Sequence, residues 1–143
     1  MPSRILELPT WLISRAYAQS HRLLAEGFAT AGLRGYHYRL LAALEDFGPA
    51  SQAALSRRTS IDRSDVVAAL NDLAGHGLIQ RSPDRDDRRR NVITITPAGI
   101  KQLRALDKIV AGVQEKLLAP LSAADRTKLI RLLGRLVEHE DQP

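Results

Sequence analysis

Residues 52–96 read QAALSRRTS-IDRSDVVAAL-NDLAGHGLIQ-RSPDRDDRRR-NVITIT, two helix-forming segments followed by apolar runs around a charged loop. Gln52-Ala53-Ala54-Leu55-Ser56 suits a short helix that breaks at Thr59-Ser60. Ile61 opens a second segment, in which Val66, Leu70 and Leu73 recur at helical spacing. Leu78-Ile79 and Val92-Ile93-Thr94-Ile95-Thr96 then bracket a charged loop, Asp84-Arg85-Asp86-Asp87-Arg88-Arg89-Arg90. Two apolar β-branched runs around a polar tip are the pattern of a hairpin. Helix, turn, helix and basic hairpin in this order predict a winged helix-turn-helix. In such a unit one helix enters the major groove of DNA, and the hairpin reaches the backbone or the minor groove.

The flanks supply more helices. Ser51 is placed to cap a helix over 52–58, and a second helix is expected over 62–74, closed by Gly75-His76-Gly77. Upstream, Pro9-Thr10 starts a helical pattern carried by Leu12, Ile13, Ala16, Tyr17, Leu23, Leu24 and Phe28 until Gly32. A run of about 20 residues would be roughly 30 Å long, more than a small core needs. After the break Leu33-Arg34-Gly35, the residues Tyr38, Leu41, Ala42 and Leu44 mark a helix ended by Gly48-Pro49. Downstream, Thr96-Pro97 sets an N-cap before proline at the first helical position. Ile100, Leu103, Leu106, Val110, Val113 and Leu117 form one stripe, stopped by Pro120. Ser122-Ala123-Ala124-Asp125 approximates a capping box for a last helix bearing Leu129, Ile130, Leu132, Leu133, Leu136 and Val137.

The fold class expected is therefore mainly α with a small β-hairpin wing. Long apolar stripes at both ends exceed what a chain of 143 residues can bury in its own core. Pairing them with a second copy about a two-fold axis would bury them. The expected division is an N-terminal dimerisation helix over 1–34, a winged helix-turn-helix lobe over 35–98 and C-terminal dimerisation helices over 99–143.

Charge agrees with a polyanionic partner. The chain carries 21 Lys and Arg against 16 Asp and Glu, a net charge of +5, and such a balance draws anions. Arg57, Arg58, Arg63, Arg81, Arg85, Arg88, Arg89 and Arg90 crowd the central stretch, whereas the end (Glu138, Glu140, Asp141) is acidic. There is no cysteine, which excludes disulfides and thiolate metal sites. His21, His37, His76 and His139 show no ligand spacing. No nucleophile motif, phosphate loop or paired acid and base is present, so neither enzyme activity, metal nor cofactor is expected. The apolar run at 5–8 is interrupted by Glu7 and stopped by Pro9. A soluble cytoplasmic protein away from membranes is expected.

Opposite the apolar stripe of the second helix lie Arg63, Ser64, Asp65, Ala68 and Asn71. Arg63 can pair with guanine or hold phosphate, Ser64 can read any base, Asp65 can accept from cytosine N4, and Ala68 can touch a thymine methyl. Asp65 has the alternative job of orienting Arg63 or a neighbouring arginine. Arg57 and Arg58 either contact the DNA backbone or complement the helix dipole. The plain alternatives are an amphipathic helix with a polar outer face and a solvated charged loop.

Four segments resemble the multiple-antibiotic-resistance regulator (MarR) family of winged-helix transcription factors. They are Leu33-Arg34-Gly35-Tyr36-His37-Tyr38-Arg39-Leu40-Leu41, Ser51-Gln52-Ala53-Ala54-Leu55-Ser56, Ile61-Asp62-Arg63-Ser64 with Gly77-Leu78-Ile79, and the wing with Ile95-Thr96-Pro97-Ala98-Gly99. Asp87 and Arg89 carry the family's Asp-x-Arg. The resemblance implies that Arg89 enters the minor groove while Asp87 braces it, leaving Arg85, Arg88 and Arg90 for phosphates. It implies a homodimeric, sequence-specific repressor of double-stranded DNA, and a site for a small aromatic releasing ligand that Trp11, Arg15, Tyr36 and His37 could line, ordinary packing of these side chains being the alternative. A constitutive architectural protein and a winged-helix protein-interaction module stay open as alternatives. Departures are Asp65 and Ala68, where the family has Thr and a polar or basic residue, His37 for the commoner Gln, and Ser60 for the glycine of such turns. That turn needs a permissive backbone.

Overall fold

The computed structural model describes residues 3–140; Asp141 of the acidic end lies outside them. The element order is α1 (Pro9–Ala29), α2 (Gly35–Phe47), α3 (Gln52–Thr59), α4 (Arg63–Gly75), β1 (Ile79–Pro83), β2 (Asn91–Ile95), α5 (Pro97–Leu117) and α6 (Ala123–Glu140). The strands pair antiparallel, with Ile79 opposite Ile95 and Pro83 opposite Asn91. A mainly helical winged helix-turn-helix is what the sequence pattern predicts.

Local chemistry explains the boundaries. The Ser51 hydroxyl accepts from the Ala54 amide at 3.2 Å, and the Thr96 hydroxyl accepts from the Gly99 amide at 3.0 Å. Both are N-caps that satisfy amides without helical partners. Gly77, at φ +72°, ends α4: the Leu78 amide bonds the Leu73 carbonyl and the Gly77 amide that of Ala74. This is the paired closure a left-handed residue allows. The same closure at Gly32 explains why α1 ends at Ala29, short of the expected Gly32. Ser60 does adopt a left-handed backbone, at φ 56° and ψ 30°, so the turn between α3 and α4 keeps the geometry that glycine usually supplies. At α6 half of the expected capping box forms. The Ser122 hydroxyl accepts from the Asp125 amide at 3.2 Å, but no bond returns from Asp125 among the described residues, its side chain being one methylene shorter than glutamate.

One core serves the lobe. Leu40, Leu41 and Leu44 of α2, Leu55 of α3, Val66, Leu70 and Leu73 of α4, and Ile79 and Ile93 of the hairpin are buried together. Phe28 and Leu33 join from before the lobe, Leu103 and Leu106 from α5, so the core crosses the boundaries drawn at 34 and 98. Ala50 adds a rung the sequence did not reveal, exchanging two hydrogen bonds with Ile93 at 3.1 and 2.8 Å. Gly99 lies so close to the hairpin base that a Cβ would run into the Leu78 carbonyl.

The ends differ. Only Phe28 of α1 is buried, and nothing in α6 is. Leu12, Ile13, Ile130, Leu133, Leu136 and Val137 are all exposed. The stripe of α5 is split: Leu103, Leu106 and Val113 are buried, whereas Ile100 is exposed. No helix among the described residues is long and apolar enough to cross a membrane.

Candidate nucleic-acid interface

The Asp62 carboxylate caps α4, accepting the Ser64 hydroxyl at 2.6 Å and its amide at 3.4 Å. These hydroxyl and amide bonds hold Asp62 below its ordinary carboxylate range. They also commit the Ser64 hydroxyl proton to Asp62, so toward a base Ser64 offers its oxygen as an acceptor. Ser64, Asp65, Ala68 and Asn71 are exposed, with Val66, Leu70 and Leu73 buried beneath. None of the ion pairs among the described residues includes Asp65, so its expected alternative as a brace for Arg63 has no support here.

At the wing tip Asp87 accepts from the Arg89 amide at 3.0 Å and from its Nε at 3.1 Å. Those two bonds, with the Arg90 charge, hold the Asp87 carboxyl below its usual value. Asp87 is thus a brace, and the Arg89 side chain is still 92% exposed. Arg90 lies 3.4 Å from Asp84 and 3.9 Å from Asp87. Two carboxylates thus hold Arg90 at the tip while its side chain stays 60% exposed, which leaves the expectation that it serves phosphate beside Arg85 and Arg88 in place. Arg85 and Arg88 enter none of the ion pairs among the described residues.

Between α3, α4 and the wing runs an open groove of ≈ 320 Å³, lined by Ser51, Gln52, Ala53, Arg63, Val66, Val67, Arg89, Arg90 and Asn91. Arg63 therefore faces the wing side of α4. Gln52 and Val67 are members the sequence reading missed. Val67 stands next to the buried Val66, but one residue turns a helix by about 100°, and Val67 is 41% exposed. That step leaves Val67 off the stripe of Val66, Leu70 and Leu73 and turns it toward the groove. Arg58 sits over the Phe47 ring at 5.3 Å, a third role beside the two expected for the Arg57-Arg58 pair.

The four residues expected near a ligand fall into separate groups. Arg15 stacks over Trp11 at 5.8 Å, while Tyr36 is covered by Arg39 at 5.1 Å. His37 is buried, and both its nitrogens are engaged. Nδ1 accepts from the Arg34 amide at 2.9 Å, so Nε2 carries the proton and donates to Asp72 at 3.1 Å. His37 thereby ties the start of α2 to α4. Among the described residues, no group of three or more His, Cys, Asp or Glu could hold a metal ion.

A helix with a polar outer face, a braced arginine on a hairpin tip and a groove between them define a winged-helix nucleic-acid-binding protein. A sequence model described as the MarR family matches residues 31–90. The chain is 26% identical over 140 residues to the HTH-type transcriptional repressor NicR of Pseudomonas putida, covering 98% of this chain and 89% of that one. A probable transcriptional regulator from Pseudomonas aeruginosa has a crystal structure that superposes with a TM-score of 0.84 at 32% identity, over 93% of this chain and 99% of that one. BpsR of Bordetella bronchiseptica, whose structure concerns regulation of its DNA binding by 6-hydroxynicotinic acid, superposes over 100% of both chains with a TM-score of 0.85 at 24% identity. The chain belongs to the MarR family of transcriptional regulators.

Proposed function

We propose that two copies of this chain form a cytoplasmic repressor that binds a pseudo-palindromic operator and is released by a small aromatic ligand. Residues 1–34 and 99–143 supply the dimer contacts, and residues 35–98 supply the DNA contacts. The observation that carries the reading is the wing tip. Arg89 projects into solvent with its base held by Asp87, and a narrow minor groove attracts an inserted guanidinium. Arg63, Ser64, Asp65, Ala68 and Asn71 meet base edges, and Arg57, Arg58, Arg85, Arg88 and Arg90 meet phosphate. Two recognition helices would then enter successive major grooves about one turn apart. Occupancy of a promoter needs no catalysis. The similarity to NicR supports repression, and that to BpsR supports a ligand. Trp11, Arg15 and Tyr36 are the side chains offered to the ligand; His37 reaches it only by acting through its neighbours. A ligand that favours a dimer with misplaced recognition helices shifts the equilibrium by its differential affinity for the two states.

Fluorescence anisotropy tests this with DNA from upstream of the chain's own gene, beside scrambled DNA, across a salt series. Specific sites bind about 10³-fold or more tighter than non-specific ones, and log affinity falls linearly with log salt. A ratio near one at every salt concentration would sink self-regulation by this protein.

A further inference from the structure

Outside the core, the Arg81 side chain of β1 donates from Nη2 to Asn71 Oδ1 of α4 at 2.8 Å. Asn71 is exposed and lies on the outer face of α4 with Ser64 and Ala68, because residues three and four apart share one face of a helix. Arg81 is half-buried and belongs to none of the ion pairs among the described residues. A guanidinium has five donors and no acceptor. The amide atom turned toward it must therefore be the oxygen.

That orientation has a consequence for base reading. A free asparagine pairs bidentately with adenine, accepting from N6 and donating to N7. Here the accepting atom is engaged by a cation. Its second lone pair remains, yet an adenine N6–H drawn to it would lie against the N–H dipoles and positive charge of Arg81. The Asn71 NH₂ group and the guanidinium together present donors. Guanine offers two acceptors in the major groove, O6 and N7, whereas adenine offers N7 beside a donor.

We infer that Arg81 sets Asn71 as a donor-only reader that selects guanine over adenine at one position of each half-site. The inference rests on α4 being the helix that enters the major groove. It makes Arg81, a strand residue, a determinant of specificity that acts through Asn71.

Selection from random-sequence duplex DNA, with sequencing of the retained duplexes, tests it. Asn71→Ala locates the position, as the one that loses its preference. There the wild-type chain should favour guanine over adenine by about tenfold, the scale of one good base contact. Arg81→Met keeps the stem and removes the charge; the guanine-to-adenine ratio should fall at that position alone. Asn71→Asp keeps the acceptor facing Arg81 and removes both donors, so guanine preference should vanish there even if the methionine variant does not fold. Adenine at that position in the wild type overturns the inference. So does an unchanged ratio in folded Arg81→Met, or an Asn71→Ala profile identical to wild type. Failure of the wild type to enrich any sequence would instead remove the DNA reading itself, a result plainly distinct from enrichment with the wrong base.

Discussion

Leu70 of α4 and Leu133 of α6 are the same side chain on two amphipathic helices, yet Leu70 is 0% exposed and Leu133 is 42% exposed. The first is covered by its own chain, in the core that α4 shares with α2, α3 and the hairpin. The second stays exposed on a helix none of whose residues is buried. Around Leu70 every polar group near the core has a partner: no buried side-chain nitrogen or oxygen lacks a hydrogen bond among the described residues. Around Leu133, Ile130, Leu136 and Val137 also face outward. Monomers rarely expose such contiguous apolar surface unless something binds it. The core around Leu70 is closed within one copy, and the exposed apolar face of α6 fits the dimer contact proposed for it.

The largest effect should come from breaking the closed core. Leu70→Ala removes a fully buried side chain and is expected to cost about 2–5 kcal/mol, read as a lower denaturant midpoint. A midpoint unchanged from wild type would mean that the lobe repacks freely, and the contrast with α6 would be lost. The exposed face predicts a different readout. Leu133→Asp should convert a dimer to a monomer by light scattering while helical circular dichroism persists. An unaltered mass would remove α6 from the interface.

Within the lobe the comparison sharpens at the wing, whose tip is polar and buries no core. Arg89→Ala should weaken operator binding by about 1–3 kcal/mol with an unchanged thermal midpoint. A sharp fall in that midpoint would show that the tip is structural. The smallest effect concerns the seam between lobe and α5. There the Tyr38 hydroxyl donates to Asp107 at 2.9 Å, beside an Arg104–Glu45 pair at 2.7 Å. Burial, then the Asp107 hydrogen bond and the Asp107 and Asp46 charges, push the tyrosine from 10.0 to about 12. A raised value favours the protonated folded form, so this contribution is full below pH 10 and is lost as pH rises toward 12. Tyrosinate absorbance should show one late-titrating group that Tyr38→Phe abolishes; a chain whose tyrosines all titrate together near 10 would contradict the seam.

Much of the fold was legible because the middle of the chain is locally consistent. Caps, turns and apolar periods agree from Ser51 to Thr96, so the helices fell within a residue or so of where the pattern put them. The wing was legible for the same reason, and the Asp87 brace on Arg89 follows from a motif whose spacing is only two residues. Other features depend on residues distant in sequence. Ala50 meets Ile93 across 43 positions, and His37 meets Asp72 across 35. No periodicity encodes either partner. Nor does a charge run say which arginine finds a carboxylate, as Arg90 does with Asp84.

By itself the sequence determined the element order, the hairpin and its charged tip, and the excess of apolar surface at both ends. These follow from short-range chemistry: hydrogen bonds of caps, steric limits of turns and the period of side chains along a helix. Tertiary structure alone decided which polar side chains are free to meet DNA. It paired Arg81 with Asn71 and Arg90 with Asp84, and left Arg89 projecting. The physical reason is that a side chain's remaining donors and acceptors depend on its neighbours in space, and those neighbours exist only once the chain has folded.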